Sequence, residues 1–142
     1  MALMRLGRLL RIRRWQTDDF QNIPLWRRSV SVGAGLFTRL RSGAVIVPMT
    51  FSSREYLDEV LSGLRSYGSE PRVFCLAASL ETIEHRLASR RLDPAGQEAL
   101  WLRRRIRECV VAHHDSHFGE SLDTENREPD EVANEILQKL GA

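Results

Sequence analysis

Ala44-Val45-Ile46-Val47-Pro48-Met49-Thr50 is the stretch on which the fold reading turns. It holds no charge and its centre is β-branched, as expected of a parallel strand over 44–49 covered on both faces. Ser42-Gly43 stops the element before it, and Ser52 or Ser53 offers an N-cap to the element after it, with acidic Glu55 in the first turn. In an open parallel sheet, ligands bind beyond the C-terminal ends of strands, so Pro48, Met49, Thr50, Ser52 and Ser53 would border a polar substrate. The plainer reading is a strand end followed by an ordinary helix cap.

Upstream, Trp26, Val30, Gly33, Phe37 and Leu40 recur every three or four residues and predict a helix from about 24 to 41. Pro24 suits its first turn, and Asp18 or Asp19 would cap it. Residues 2–13 read as a short basic helix with Leu3, Leu6 and Leu10 along one side, too interrupted by arginine for a signal sequence or a membrane span. Downstream, Leu57, Val60, Leu61 and Leu64 predict a helix ending near Tyr67-Gly68. Pro71 then opens a strand over 73–78, and Ser79 caps a helix that turns Ile83 and Leu87 inward.

Asp93-Pro94-Ala95-Gly96 interrupts the pattern before a long arginine-rich helix with Trp101, Ile106, Cys109 and Val110 as packing residues. A weak strand follows over 120–122, and Pro129 begins a helix whose stripe is Val132, Ile136, Leu137 and Leu140. Strands alternating with helices predict a three-layer α/β domain with right-handed crossovers. With 142 residues, 42% of them hydrophobic, and no linker or repeat, residues 1–142 form a single domain.

A formal net charge of +2 leaves no broad face for nucleic acid. All the basic residues except Lys139 are arginine, which suits phosphates and carboxylates but also follows from base composition of the gene. Cys75 and Cys109 lack metal-ligand spacing and read as reduced core residues of a cytoplasmic protein.

Arg86, Arg90 and Arg91 end one predicted helix, and Arg103, Arg104, Arg105 and Arg107 lie on the next. Around a flexible break they would form a lid over polyphosphate; equally, they suit a solvated helix face. His113, His114, Asp115 and His117 carry ligand chemistry without a His-Glu-x-x-His pattern, so no metal centre is assigned there. Asp18 and Asp19 would orient a substrate hydroxyl or magnesium-bound water, or simply cap a helix. The glycine-rich run ending in Gly-Lys-Ser/Thr that cradles phosphates occurs nowhere in the sequence.

Taken together, the chain resembles the tunicamycin-resistance family of P-loop kinase-like proteins. The resemblance rests on Asp18-Asp19-Phe20-Gln21, Pro24-Leu25-Trp26-Arg27, Val45 through Thr50, Tyr56, Leu61 through Arg65, Leu76, Ala78-Ser79, Glu81-Thr82, Arg86-Leu87, Arg90, Trp101, Cys109 and Asp123-Thr124-Glu125-Asn126. These run in family order through nearly the whole chain.

The resemblance implies a P-loop nucleoside-kinase-like α/β fold with ATP and magnesium as cofactors, a nucleoside-like small molecule as acceptor, and a link to antibiotic resistance. It assigns catalytic roles to Arg86, Arg90 and Arg104, with Arg86 and Arg90 also holding ATP, and an arginine-rich lid to residues 86–107. It assigns substrate contacts to Asp18, Asp19, Arg27, Pro48, Met49 and Thr50.

The family's first strand and phosphate loop have no counterpart here. The expectation is therefore an N-terminally truncated parallel sheet, from a sequence that starts late relative to a full product and has little kinase activity of its own. The missing strand would lie between 44–49 and 71–78, exposing apolar faces and unpaired edges. The alternative expectation is a noncatalytic protein-interaction or oligomerising module, a homodimer through an exposed sheet or apolar surface. Neither nucleic acid nor membrane is an expected partner.

Overall fold

The computed structural model describes residues 19–40, 43–88 and 97–141, with side chains from residue 99 in the last stretch. Its centre is a pair of helices, α1 (Pro24–Leu40) and α2 (Arg54–Ser66), joined through the 43–51 stretch. Asp19 caps the 3-10 turn Phe20–Asn22 that leads into α1, accepting from the Gln21 backbone N–H at 3.1 Å and from its Nε2 at 2.6 Å. Ser53 caps α2, its hydroxyl oxygen accepting from the Tyr56 N–H at 3.4 Å.

The buried stripe of α1 is Arg27, Ser31 and Gly35, one residue per turn and none of them a large hydrophobe. Its small members are matched to close neighbours. A Cβ on Gly35 would lie 2.6 Å from the Tyr67 ring, and one on Gly63 of α2 would lie 2.7 Å from the Ser31 side chain. Closeness of approach, rather than apolar bulk, therefore selects this face. Trp26 and Val30 of the predicted stripe are half-buried, whereas Phe37 and Leu40 are exposed.

The apolar core adjoins this contact, sharing Val60 with it. Leu57 and Val60 meet Phe51, Cys75 and Phe118, with Val30, Met49, Tyr56, Leu61, Leu64 and Ala112 around them. Strands β1 (Phe74–Ala77) and β2 (Glu120–Asp123) pair in parallel, from Phe74 opposite Glu120 to Ala77 opposite Asp123. Gly119 enters β2 with φ of 105°, and its Cα hydrogen takes a place that a Cβ would contest with the Val73 carbonyl 2.5 Å away. Helices α3 (Leu80–Ala88) and α4 (Gln97–Ala112) pack on each other. A second 3-10 turn, Ser116–Phe118, precedes β2, and α5 (Pro129–Leu140) closes the described chain.

The three-layer α/β expectation is corrected. The described residues form a mostly helical domain whose sheet has two short strands, not the parallel sheet of a P-loop nucleoside kinase or related ATPase. The difference lies at 44–49, which joins no sheet. A strand exists only through a neighbour that takes its N–H and C=O groups, and an uncharged β-branched sequence supplies the preference without the neighbour. The predicted helix over 2–13 and the break over 93–96 lie outside the described residues.

Candidate functional site

The stretch that failed to become a strand keeps part of a strand's alternation, broken at the exposed Val47. Val45 and Met49 are half-buried and Phe51 is buried, while Ala44, Ile46, Pro48 and Thr50 are exposed. Ile46 is 86% exposed and Val47 38% exposed. Among the described residues, no hydrogen bond is made by the backbone of 44–50. Beyond it the chain is pinned: His113 Nε2 meets the Phe51 carbonyl at 2.7 Å, and the Ser52 N–H donates to Gln21 Oε1 at 3.2 Å. Two further apolar exposures lie near this stretch in sequence or on the sheet. Leu40, the last residue of α1, is 82% exposed, and Leu76 in the middle of β1 is 57% exposed.

The residues expected around a substrate are placed as follows. Asp19 caps its 3-10 turn and pairs with Arg105 Nε at 3.0 Å. Arg105 Nη1 donates to the Ser52 hydroxyl at 2.6 Å and reaches Glu108 at 3.3 Å, while its Nη2 is enclosed with no partner among the described residues. Arg27 is buried between the helices. Its Nε lies 2.6 Å from Glu59, its Nη1 donates to the Gln21 carbonyl, and its guanidinium stacks 4.0 Å over the Tyr56 ring. Pro48 and Thr50 are exposed, and Met49 rests against the core. Asp18 and Arg90 lie outside the described residues.

The residues expected to hold phosphate are engaged with separate protein groups. Arg86 donates to the Thr124 hydroxyl at 3.2 Å and to the Thr124 carbonyl at 2.7 Å. Arg104 lies 3.7 Å from Glu108 along α4. Among the described residues, no group of three histidine, cysteine, aspartate or glutamate side chains is placed to hold a metal ion. His113 and His117, four apart in sequence, diverge: the first turns to Phe51 and the second to Asp58 at 3.0 Å. Among the described residues, Arg86 and Arg104 thus meet different protein groups, Thr124 and Glu108.

Near the C-terminal ends of β1 and β2, where ligands bind in larger parallel sheets, a carboxylate of the protein bonds the start of α3. Glu125 accepts from the Ser79 N–H at 2.9 Å, from the Ser79 hydroxyl at 3.1 Å and from the Thr82 hydroxyl. The bond from Thr82 and then that from the Ser79 backbone hold its carboxyl below the usual glutamate value. Burial pushes the Cys75 and Cys109 thiols up, which keeps both protonated at neutral pH and poor nucleophiles.

The 44–50 stretch, expected as a strand whose end borders a substrate, is instead an unpaired segment with an exposed apolar side chain. The signal for it was present in Pro48, which removes one ladder donor, and in the absence of any charge from Gly43 to Ser53. Among the described residues, no helix is long and apolar enough to cross a membrane. No family model matches the chain, and no curated protein or solved structure is significantly similar to it.

Proposed function

We propose that this chain is a noncatalytic interaction module that associates through the uncharged 44–50 stretch. The observation that carries the reading is the backbone of those residues, without a hydrogen-bond partner among the described residues and flanking the exposed Ile46 side chain. Unpaired backbone beside exposed β-branched side chains is a template for another strand. Those described arginines that the family resemblance would place at a phosphate or a substrate support the reading from the other side. Arg86 and Arg104 are occupied by Thr124 and Glu108, and Arg27 is built into the helix pair.

Sedimentation of the purified chain over a dilution series, alongside an assay of magnesium-dependent ATP turnover, tests the proposal. Reversible association that is lost in the double variant Ile46→Lys, Val47→Lys, without turnover, is the expected result. A chain that is monomeric at every concentration, or that transfers phosphate unaided, overturns it.

A further inference from the structure

The geometry points to a second copy of this chain as the occupant of the 44–50 stretch, paired antiparallel about a two-fold axis at Ile46. This deepens the interaction reading and rests on it.

Pro48 distinguishes the two edges of the stretch. In a strand, the N–H and C=O of one residue face one edge and those of the next face the other. Residues 44, 46, 48 and 50 share an edge, and Pro48 removes a donor from it. Val45, Val47 and Met49 share the opposite edge, on which every residue retains its donor. The complete edge is the one that can take a partner along its whole length.

Closing the exposed Ile46 side chain against its own copy selects the symmetric register on that edge. With Ile46 opposite Ile46 of the second copy in a non-hydrogen-bonded pair, Val45 and Val47 fall opposite one another and exchange about four backbone hydrogen bonds in all. Pro48 then lies opposite Ala44 at a position that requires no N–H from it.

A two-fold interface places the same patch against itself, so it must be self-complementary. Charge commonly prevents this, because like charges directly opposite repel. Here no residue from Gly43 to Ser53 carries a charge, in a chain that is 28% charged overall. The outward row of Ala44, Ile46, Pro48 and Thr50 would meet its own copy on one face, closing the 86%-exposed Ile46 against a second Ile46. An acidic or basic partner strand would find nothing here to pair with. A second copy supplies matching apolar side chains and a backbone with the same unmet donors.

Cysteine scanning of the full chain tests the register. Cα atoms of a non-hydrogen-bonded pair stand about 4.5 Å apart, within disulfide reach, whereas residues two positions from the axis stand roughly 13 Å from their own copies. Ile46→Cys should therefore form a covalent dimer under mild oxidation, mapped by peptide mass spectrometry, while Ala44→Cys and Pro48→Cys should not. Independently, Val47→Pro removes a bonded donor from each copy and should weaken the dimer about thirtyfold, whereas Thr50→Pro, on the other edge, should change it less than about threefold. Far-UV circular dichroism of each variant confirms that it folds.

Association that persists without the Ile46 cross-link, or that is equally sensitive to both proline substitutions, overturns the two-fold pairing and leaves the interaction module standing. A monomer at every concentration overturns both.

Discussion

Helices α1 and α2 and the stretch that connects them treat their polar groups in opposite ways. Between the helices, even a buried guanidinium has partners: Arg27 meets Glu59, the Gln21 carbonyl and the Tyr56 ring, and the Ser31 hydroxyl donates to the Arg27 or Val60 carbonyl at 3.2 or 3.3 Å. In the connecting stretch, 44–50, no backbone group has a protein partner among the described residues. A helix satisfies its backbone within itself, so its side chains alone must find partners. A strand-like segment carries its unmet bonds on its edges until something pairs with it. Adjoining regions of one chain can therefore differ in whether they are complete.

The contrast is most exposed to test at Arg27. Arg27→Ala leaves the Gln21 carbonyl without this donor and removes the stacking on Tyr56, and should cost about 2–3 kcal/mol in urea unfolding. Arg27→Lys should recover only part of that, because an ammonium cannot reproduce the planar fork. A loss below about 0.5 kcal/mol would mean that the helix pair does not depend on its buried polar centre.

Next comes the helix crossing itself. Gly63→Ala places a methyl group 2.7 Å from the Ser31 side chain, so the helices must separate. The expected loss is about 1–3 kcal/mol, read from the denaturation midpoint at unchanged slope. Gly33→Ala on the same α1 helix meets nothing within 4 Å and should stabilise slightly, by about 0.5–1 kcal/mol.

In the open region the expected effect on monomer stability is smaller still. At concentrations low enough to dissociate any dimer, Ile46→Lys should change unfolding stability by less than about 0.5 kcal/mol, since the side chain touches mostly water. A larger loss would show that 44–50 is part of the packed interior after all.

The smallest effect belongs to Glu125. Its carboxyl is held below the ordinary value of 4.5, first by the Thr82 hydroxyl and then by the Ser79 backbone. A depressed carboxylate contributes stability above the ordinary glutamate range and loses it as pH falls through the folded value. Wild type and Glu125→Gln should therefore differ slightly at neutral pH and converge below pH 4.5. A difference that grows in acid would contradict the assignment.

Much of this local structure was legible in the residues. Ser53 caps α2, Pro24 and Pro129 open α1 and α5, and the strands at 74–77 and 120–123 fall where an apolar run over 73–78 and a weak strand over 120–122 were expected. Ser79 also meets its predicted role, accepting from the Thr82 N–H at 3.1 Å. Each of these depends on neighbours a few residues away. The buried face of α1 was misread because Gly35 and Ser31 are matched to Tyr67 and Gly63 at close approach and Arg27 to Glu59 and Tyr56, which periodicity does not record. The candidate site was read as the end of a strand because 44–50 has the composition of one.

The amino-acid order by itself determined where helices begin, which segments favour extended backbone, and that no charge interrupts Gly43 to Ser53. Tertiary structure alone decided that 44–50 goes unpaired within the described chain, that Arg27 is buried, and that Glu125 bonds the start of α3. The physical reason is range. Caps, turns and side-chain periodicity are settled by bonds between near neighbours, whereas sheet membership and the burial of a charge depend on groups that meet only when distant segments come together.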